Sequence, residues 1–230
     1  SDEMNRLSID LGLPPKTITS PSGHVSRYSD EGTLNILKMA YSGLVNKSLV
    51  EELRTSGINA IGLTGLDGGL LRGKRKKAIR SVEDGKVRII RDDNTGRVEE
   101  VNTDLLRLLL DNNYVPVITI PISSEEGKGL NADADRAAAA IASRMDAEEL
   151  ILLTNQPGLL RDVNDPDSVI DSIPRDRIEI GMEFAEGRMK KKVLASKEAL
   201  EGGVGRVIIS SSNVAGPVQN ALNGQGTVLS

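Results

Sequence analysis

Asn131, Asp133 and Asp135 stand at alternate positions just before and within the first turn of an alanine-rich helix, and a β-branched run precedes them. An amide and two carboxylates are thereby placed where a strand's carboxyl end meets a helix amino terminus, the usual ligand crevice of an open α/β sheet. Such groups can orient a polar ligand and hold cations by charge pairing. Helix capping is the plain alternative, because Asn and Asp are favoured at helix starts whether or not anything binds there. Arg27, between a turn and the next helix, can offer a substrate carboxylate a bidentate pair; its alternatives are a solvated guanidinium or an ion pair with Asp30. Lys190, Lys191 and Lys192 open a later helix, where positive charge opposes the macrodipole and a bound polyphosphate would compensate it. Solvated lysines are the alternative there, since no more than two of them can share a face. The glycines around Asp67, in residues 64–69, can turn backbone amides toward an anion. Arg72, Lys74, Arg75, Lys76, Lys77 and Arg80 form a dense basic run before an Asp84-Gly85 hairpin signal. A basic hairpin in an acidic chain suits an acidic partner, or else a sheet edge protected by its lysines.

These residues need a scaffold, and the spacing of apolar residues supplies one. Residues 115–122 read as a strand buried on both faces, interrupted by Pro116 and Pro121, and residues 149–154 read as a second. The order strand, loop, helix, strand implies a parallel sheet with right-handed crossovers. Leu34, Leu37, Tyr41, Leu44, Val45, Leu49 and Leu53 form one apolar stripe on a helix ending near Gly57. Gly43 and Asn46 interrupt it and point to close approach by another element of the chain or by a partner subunit's helix. Asn102 caps a helix over 105–110, residues 162–176 form a polar excursion beyond the core, and residues 207–210, 218–222 and 227–229 give a strand, a short helix and a closing strand.

Composition narrows the chemistry. The 230 residues include no cysteine and a single histidine, His24, which excludes thiolate chemistry and leaves no His-rich metal site. A net charge of -4 and only Tyr28, Tyr41, Tyr114 and Phe184 as aromatics argue against nucleic-acid binding. No run is long and apolar enough to span a bilayer and no signal peptide is visible, so no membrane partner and a cytoplasmic setting are expected.

Taken together, Asn131-Ala-Asp133-Ala-Asp135, Leu152-Leu-Thr154-Asn155-Gln-Pro-Gly158-Leu159-Leu160, Gly187-Arg-Met-Lys190-Lys-Lys192-Val and Gly62-Leu-Thr64-Gly-Leu-Asp67-Gly-Gly69 resemble motifs of amino-acid kinases of the N-acetylglutamate kinase type, in that family's order. Ser20-Pro-Ser-Gly23-His-Val-Ser26-Arg27-Tyr28 and the basic hairpin resemble the branch called LysZ. That branch phosphorylates the side-chain carboxylate of 2-aminoadipate, or of glutamate in some members, attached by its amino group to the acidic carrier protein LysW. The resemblance implies an α/β fold, an open and mostly parallel sheet between helices with a basic β-hairpin. An amino-acid and carrier lobe is expected over 1–125 and a nucleotide lobe over 126–230. It further implies ATP and Mg2+, LysW as partner and a homodimer formed through the helix of the apolar stripe. Carried onto this sequence, Arg27 would hold the α-carboxylate, with Ser26 and Tyr28 beside it, and Asn131 would fix the substrate chain. Asp135 would organise catalytic lysines and Lys192 would neutralise the transferring phosphoryl. Thr154, Asn155, Gly158, Leu159, Lys190 and Ser210 would lie along the nucleotide. Arg72, Lys74, Arg75, Lys76, Lys77 and Arg80 would meet the carrier. The family pattern also has a Lys-x-Gly-Gly strand and a His-Gly-Gly loop ahead of the first residue here, so the chain is expected to begin inside the fold. The same residues leave open N-acetylglutamate as substrate, or a non-catalytic binding module.

Overall fold

The computed structural model of the chain describes every residue except Ser1, Ser22, His24 and Asp84, and the side chain of Asp2. The histidine and the first residue of the expected hairpin turn therefore lie outside the described residues. The chain divides into two units, Ser1–Asp133 and Ala134–Ser230.

In the first unit α1 (Asp2–Asp10) buries Met4, and β1 (Thr17–Thr19) pairs antiparallel with β2 (Val25–Arg27), a strand that was not expected. Next, α2 (Glu31–Leu37) continues through a π-helical stretch, Lys38–Val45, into α3 (Asn46–Thr55). The expected single stripe is split along this length. Leu34, Ile36, Leu37 and Ala40 are buried, whereas Leu44, Val45 and Leu49 are exposed. A π-helical turn is wider than an α-turn, so residues after it rotate off the line set before it. Among the described residues no atom outside its own helix lies within 4 Å of where a Gly43 Cβ would stand. The close contact is made at buried Asn46 instead, whose Nδ2 donates to Val117 O at 2.8 Å. Gly62 makes room for that side chain, since a Cβ there would lie 2.0 Å from Asn46 Oδ1.

The five-stranded sheet of this unit takes β3 (Ala60–Gly65), β4 (Leu71–Arg75), β7 (Gly96–Val101), β8 (Val115–Ser123) and β9 (Gly129–Leu130), while β5 (Ile79–Glu83) and β6 (Lys86–Ile90) form a separate hairpin. The sheet runs β3-β8-β4-β7, with β3 and β8 parallel, β4 and β7 antiparallel, and β9 paired to β8. Before β8 comes α4 (Thr103–Asp111), capped as expected by Asn102, whose Oδ1 accepts from Leu105 N at 3.1 Å. Burial along β8 is graded rather than complete: Val115 is exposed, the middle half-buried, and only the residues from Pro121 onward are buried.

The second unit comprises α5 (Ala134–Arg144), β10 (Glu149–Thr154), β11 (Ser172–Ile173), α6 (Ile178–Phe184), α7 (Gly187–Glu201), β12 (Arg206–Ser211), α8 (Pro217–Leu222) and β13 (Thr227–Leu229). Its sheet runs β10-β12-β13-β11, with β10 parallel to β12 and β13 antiparallel to β12. Both strands expected from the apolar runs lie in parallel pairs, β8 with β3 in the first unit and β10 with β12 in the second. β8 pairs with β3 along its length and with β4 and β9 only at Ile122 and Ser123, while β10 pairs with β12. The supposed polar excursion is corrected: it carries β11, and Ile170 and Ile173 join the core of Leu152, Leu159, Val193, Val207, Ile209 and Leu229. Small residues set the spacing between α5 and α7. Ala139 and Ala142 on one helix and Ala195 and Ala199 on the other are buried in that same core.

Candidate active site

In the first unit Arg27 closes β2, and its Nη2 donates to Asn5 Oδ1 while Nη1 is buried with no acceptor. Asp30 does not pair with it. Its Oδ1 accepts from Thr33 N at 2.8 Å to cap α2, and Oδ2 lies 3.8 Å from Lys16 Nζ. Burial raises the Asp30 pKa, but hydrogen bonding from Thr33 and the charge of Lys16 outweigh it and hold the carboxyl below its ordinary value. Neither alternative for Arg27, solvation or pairing with Asp30, describes its surroundings. Ser26, in β2, is half-buried, and Tyr28 follows the strand. The Tyr28 hydroxyl donates to Asp92 Oδ2, and this bond, then burial and the charges of Asp92, Asp30 and Asp93, push its pKa up to about 12. The phenol is a committed donor at neutral pH.

Asn131 follows β9 and donates from Nδ2 to Ser29 Oγ at 2.9 Å, across 102 positions of sequence. Ser29 Oγ in turn reaches Arg27 O at 3.5 Å, so the serine stands between the expected carboxylate-binding and chain-fixing residues. Sequence reasoning missed Ser29 and the buried Asp93 that accepts from its N–H. The only signal was the turn-rich run Arg91-Asp-Asp-Asn-Thr-Gly96.

In the second unit Asp135 occupies the first turn of α5, where a carboxylate suits the helix dipole. Lys192 Nζ, on α7, donates to Asp135 Oδ1 at 2.7 Å, with the two side chains 15% and 25% exposed. This pairing supplies the compensation that a lysine near a helix start requires. Next to Asp135 on α5, Arg136 Nε donates to Glu198 Oε2 at 2.8 Å and Nη2 to Oε1, which fastens α5 to α7 six residues beyond the lysine. Lys190 is exposed.

A cavity of about 410 Å³ opens in this unit, lined by Pro157, Asp171, Ser210, Ser211, Val214 and Gly226 among others. Of the residues expected along a nucleotide, Ser210 lines it. Thr154 ends β10 and Asn155 follows it. Leu159 is buried in the core, and its N–H donates to Thr227 Oγ1 at 2.8 Å. Gly158 packs so tightly that a Cβ would lie 2.8 Å from that hydroxyl.

The basic run is divided among elements. Arg72, Lys74 and Arg75 belong to β4 in the large sheet, Lys76 and Lys77 to the connection, and Arg80 to the hairpin. Lys74 pairs with Glu99 at 3.4 Å and Glu125 at 3.8 Å, and Arg75 donates to Asp93 O at 2.9 Å and Arg91 O at 2.6 Å. Among the described residues Lys76, Lys77 and Arg80 form no side-chain ion pair. The residues opposite on the hairpin set Arg80 beside Ile89 and Val82 beside Val87 on one face, where Val87 and Ile89 are exposed.

The model of the family described as Amino acid kinase family matches residues 2–211. A LysW-aminoadipate kinase of Deinococcus radiodurans is 53% identical over 230 residues, covering 100% of this chain and 79% of that protein. A LysW-aminoadipate kinase of Thermus thermophilus is 49% identical over 231 residues, covering 100% of this chain and 86% of that protein. Among solved structures, smu.665 of Streptococcus mutans superposes with a TM-score of 0.77 at 23% identity, over 100% of this chain and 82% of its own, a likeness of fold.

Proposed function

The chain belongs to the amino acid kinase family, and from that premise we propose that it phosphorylates the side-chain carboxylate of 2-aminoadipate carried by its amino group on LysW, with LysW-linked glutamate as a second substrate. The observation that carries this reading is whole-chain similarity to two LysW-aminoadipate kinases. A substrate carboxylate oxygen bonds to the γ-phosphorus of ATP as the bond to the β–γ bridging oxygen breaks, and ADP leaves with that electron pair. The nucleophile is already ionised at neutral pH, so no protein base has to remove a proton. The work left to the protein is positioning and charge stabilisation.

The first unit would bind the amino acid and the second the nucleotide. Arg27 Nη1, buried without an acceptor, supports a carboxylate partner, the group a guanidinium fork matches best. Lys192, held by Asp135, would neutralise charge on the transferring phosphoryl. The Ser210 cavity is of a size that small ligands occupy. Magnesium supplies neutralisation on the β- and γ-phosphates when it arrives with ATP.

Lys76, Lys77 and Arg80, exposed and without ion pairs among the described residues, with Val87 and Ile89 beside Arg80, are the residues best suited to an acidic carrier. Arg75, whose Nε and Nη2 donate to backbone carbonyls, is less free to reach a partner than these three. Reversing the charges in a Lys76→Glu, Lys77→Glu, Arg80→Glu triple variant is expected to raise KM for LysW-linked aminoadipate by about tenfold or more at low salt, with KM for ATP unchanged. An unaltered KM for the carrier-linked substrate would remove the hairpin from carrier recognition.

A further inference from the structure

Asn131 is held from two sides by one short loop. Its N–H donates to Asn94 O at 2.9 Å and its own carbonyl accepts from Gly96 N at 2.8 Å. The same loop grips Ser29. Asp93 Oδ2 accepts from Ser29 N at 2.7 Å, and Ser29 O accepts from Asn94 N at 2.8 Å and Asn94 Nδ2 at 3.0 Å. Asp93 is itself fixed, because Oδ1 accepts from Thr95 N at 2.8 Å and its carbonyl accepts from Arg75 Nε at 2.9 Å. Ser29 and Asp93 are 0% and 1% exposed, so neither touches water, and both spend their polar atoms on this frame.

One bond in the frame joins two side chains: the Ser29 hydroxyl accepts from the Asn131 side-chain amide. An asparagine amide can sit with its oxygen and nitrogen exchanged at nearly equal cost unless a neighbour distinguishes them. Here Ser29 Oγ accepts from Asn131 Nδ2 at 2.9 Å, and the acceptor nearest its own proton is Arg27 O at 3.5 Å. The donor end of the amide is thereby assigned to the protein, and the oxygen end is left for a ligand.

We propose that Ser29, held in place by Asp93, is the positioning residue that sets the orientation of the Asn131 amide toward the bound amino acid. The inference rests on Asn131 binding the substrate chain, the role that the family resemblance implies for it. Removing the Ser29 hydroxyl leaves every backbone bond of the frame intact but frees the amide to rotate. The cost falls on amino-acid binding and not on the nucleotide.

A mutant cycle on the full-length enzyme separates this from a structural role. Steady-state kinetics with LysW-linked aminoadipate would compare the parent with Ser29→Ala, Asn131→Ala and the double variant, with melting temperature followed in parallel. Ser29→Ala is expected to raise KM for the carrier-linked amino acid about five- to tenfold, the scale of one ordinary hydrogen bond, with KM for ATP unchanged. In the Asn131→Ala background the same change is expected to have no further effect on KM. Additive losses, or an unaltered KM in Ser29→Ala beside a raised one in Asn131→Ala, overturn the proposal alone. An unaltered KM in Asn131→Ala overturns the substrate-site reading on which it rests.

Discussion

Replacing Lys192 with Met is expected to lower kcat roughly 10²–10³-fold while KM for ATP changes only a few-fold, the signature of a group whose interaction strengthens as charge builds in the transition state. Methionine keeps the unbranched stem that packs among α7's neighbours and removes only the cation. In the folded chain that cation sits 2.7 Å from Asp135 Oδ1, largely shielded from water, so its charge is not dissipated in solvent. The variant leaves a partly buried carboxylate without its partner, and a lowered melting temperature should accompany the kinetic loss. Asp135→Asn makes the complementary test. It keeps an acceptor for the lysine but removes the charge pairing, and a smaller fall in kcat is expected. A Lys192→Met enzyme with kcat within about threefold of the parent would assign the lysine to holding α5 against α7, a task Arg136 and Glu198 already perform.

Replacing Arg27 with Met is expected to raise KM for the amino-acid substrate by roughly 30- to 1,000-fold, the range for removing one partner of a buried, hydrogen-bonded charge pair. The geometry makes Arg27 a strong candidate because it is incomplete in the free protein. Nη2 is satisfied by Asn5, whereas Nη1 is buried and has no acceptor. A buried donor without a partner costs about 1–3 kcal/mol, and a ligand carboxylate would recover that cost on binding. Arg27→Lys should recover little, since an ammonium cannot bond Asn5 and a carboxylate through one planar fork. Isothermal titration with carrier-linked aminoadipate, in the absence of ATP, would measure the loss directly. Affinity within a few-fold of the parent would return Arg27 to a purely structural pairing with Asn5.

Much of this arrangement was legible in the sequence because it depends on local rules. Asn102 caps its helix, Asp135 falls in the first turn of α5, and the residues from Gly187 to the Gly202-Gly203 stop form α7, all as spacing and capping preferences require. Asp135 and Lys192, 57 positions apart, emerged only through motif resemblance, since no periodicity links two helices. Long-range sheet pairing was the weakest point. The order strand, helix, strand does not reveal which strands become neighbours, and β8 takes β3 while β10 takes β12. The π-helical stretch escaped because its apolar residues fit an α-helical stripe on paper. Ser29 and Asp93 escaped for another reason: a serine and a run of Asp and Asn residues look like a solvated turn, and only the fold shows them buried and bonded. Charge density alone did not reveal that Arg75, part of the basic run in sequence, also bonds the backbone of the 91–93 loop in space.

The central claim is tested most directly by ADP release from the full-length enzyme, supplied in parallel with LysW-linked aminoadipate, LysW-linked glutamate and free N-acetylglutamate. Turnover is expected with the carrier-linked substrates and not with N-acetylglutamate. The preference between aminoadipate and glutamate should stay modest, since one methylene in a pocket is worth only about 1–3 kcal/mol. Efficient turnover of free N-acetylglutamate with none of the carrier-linked substrates would contradict the account.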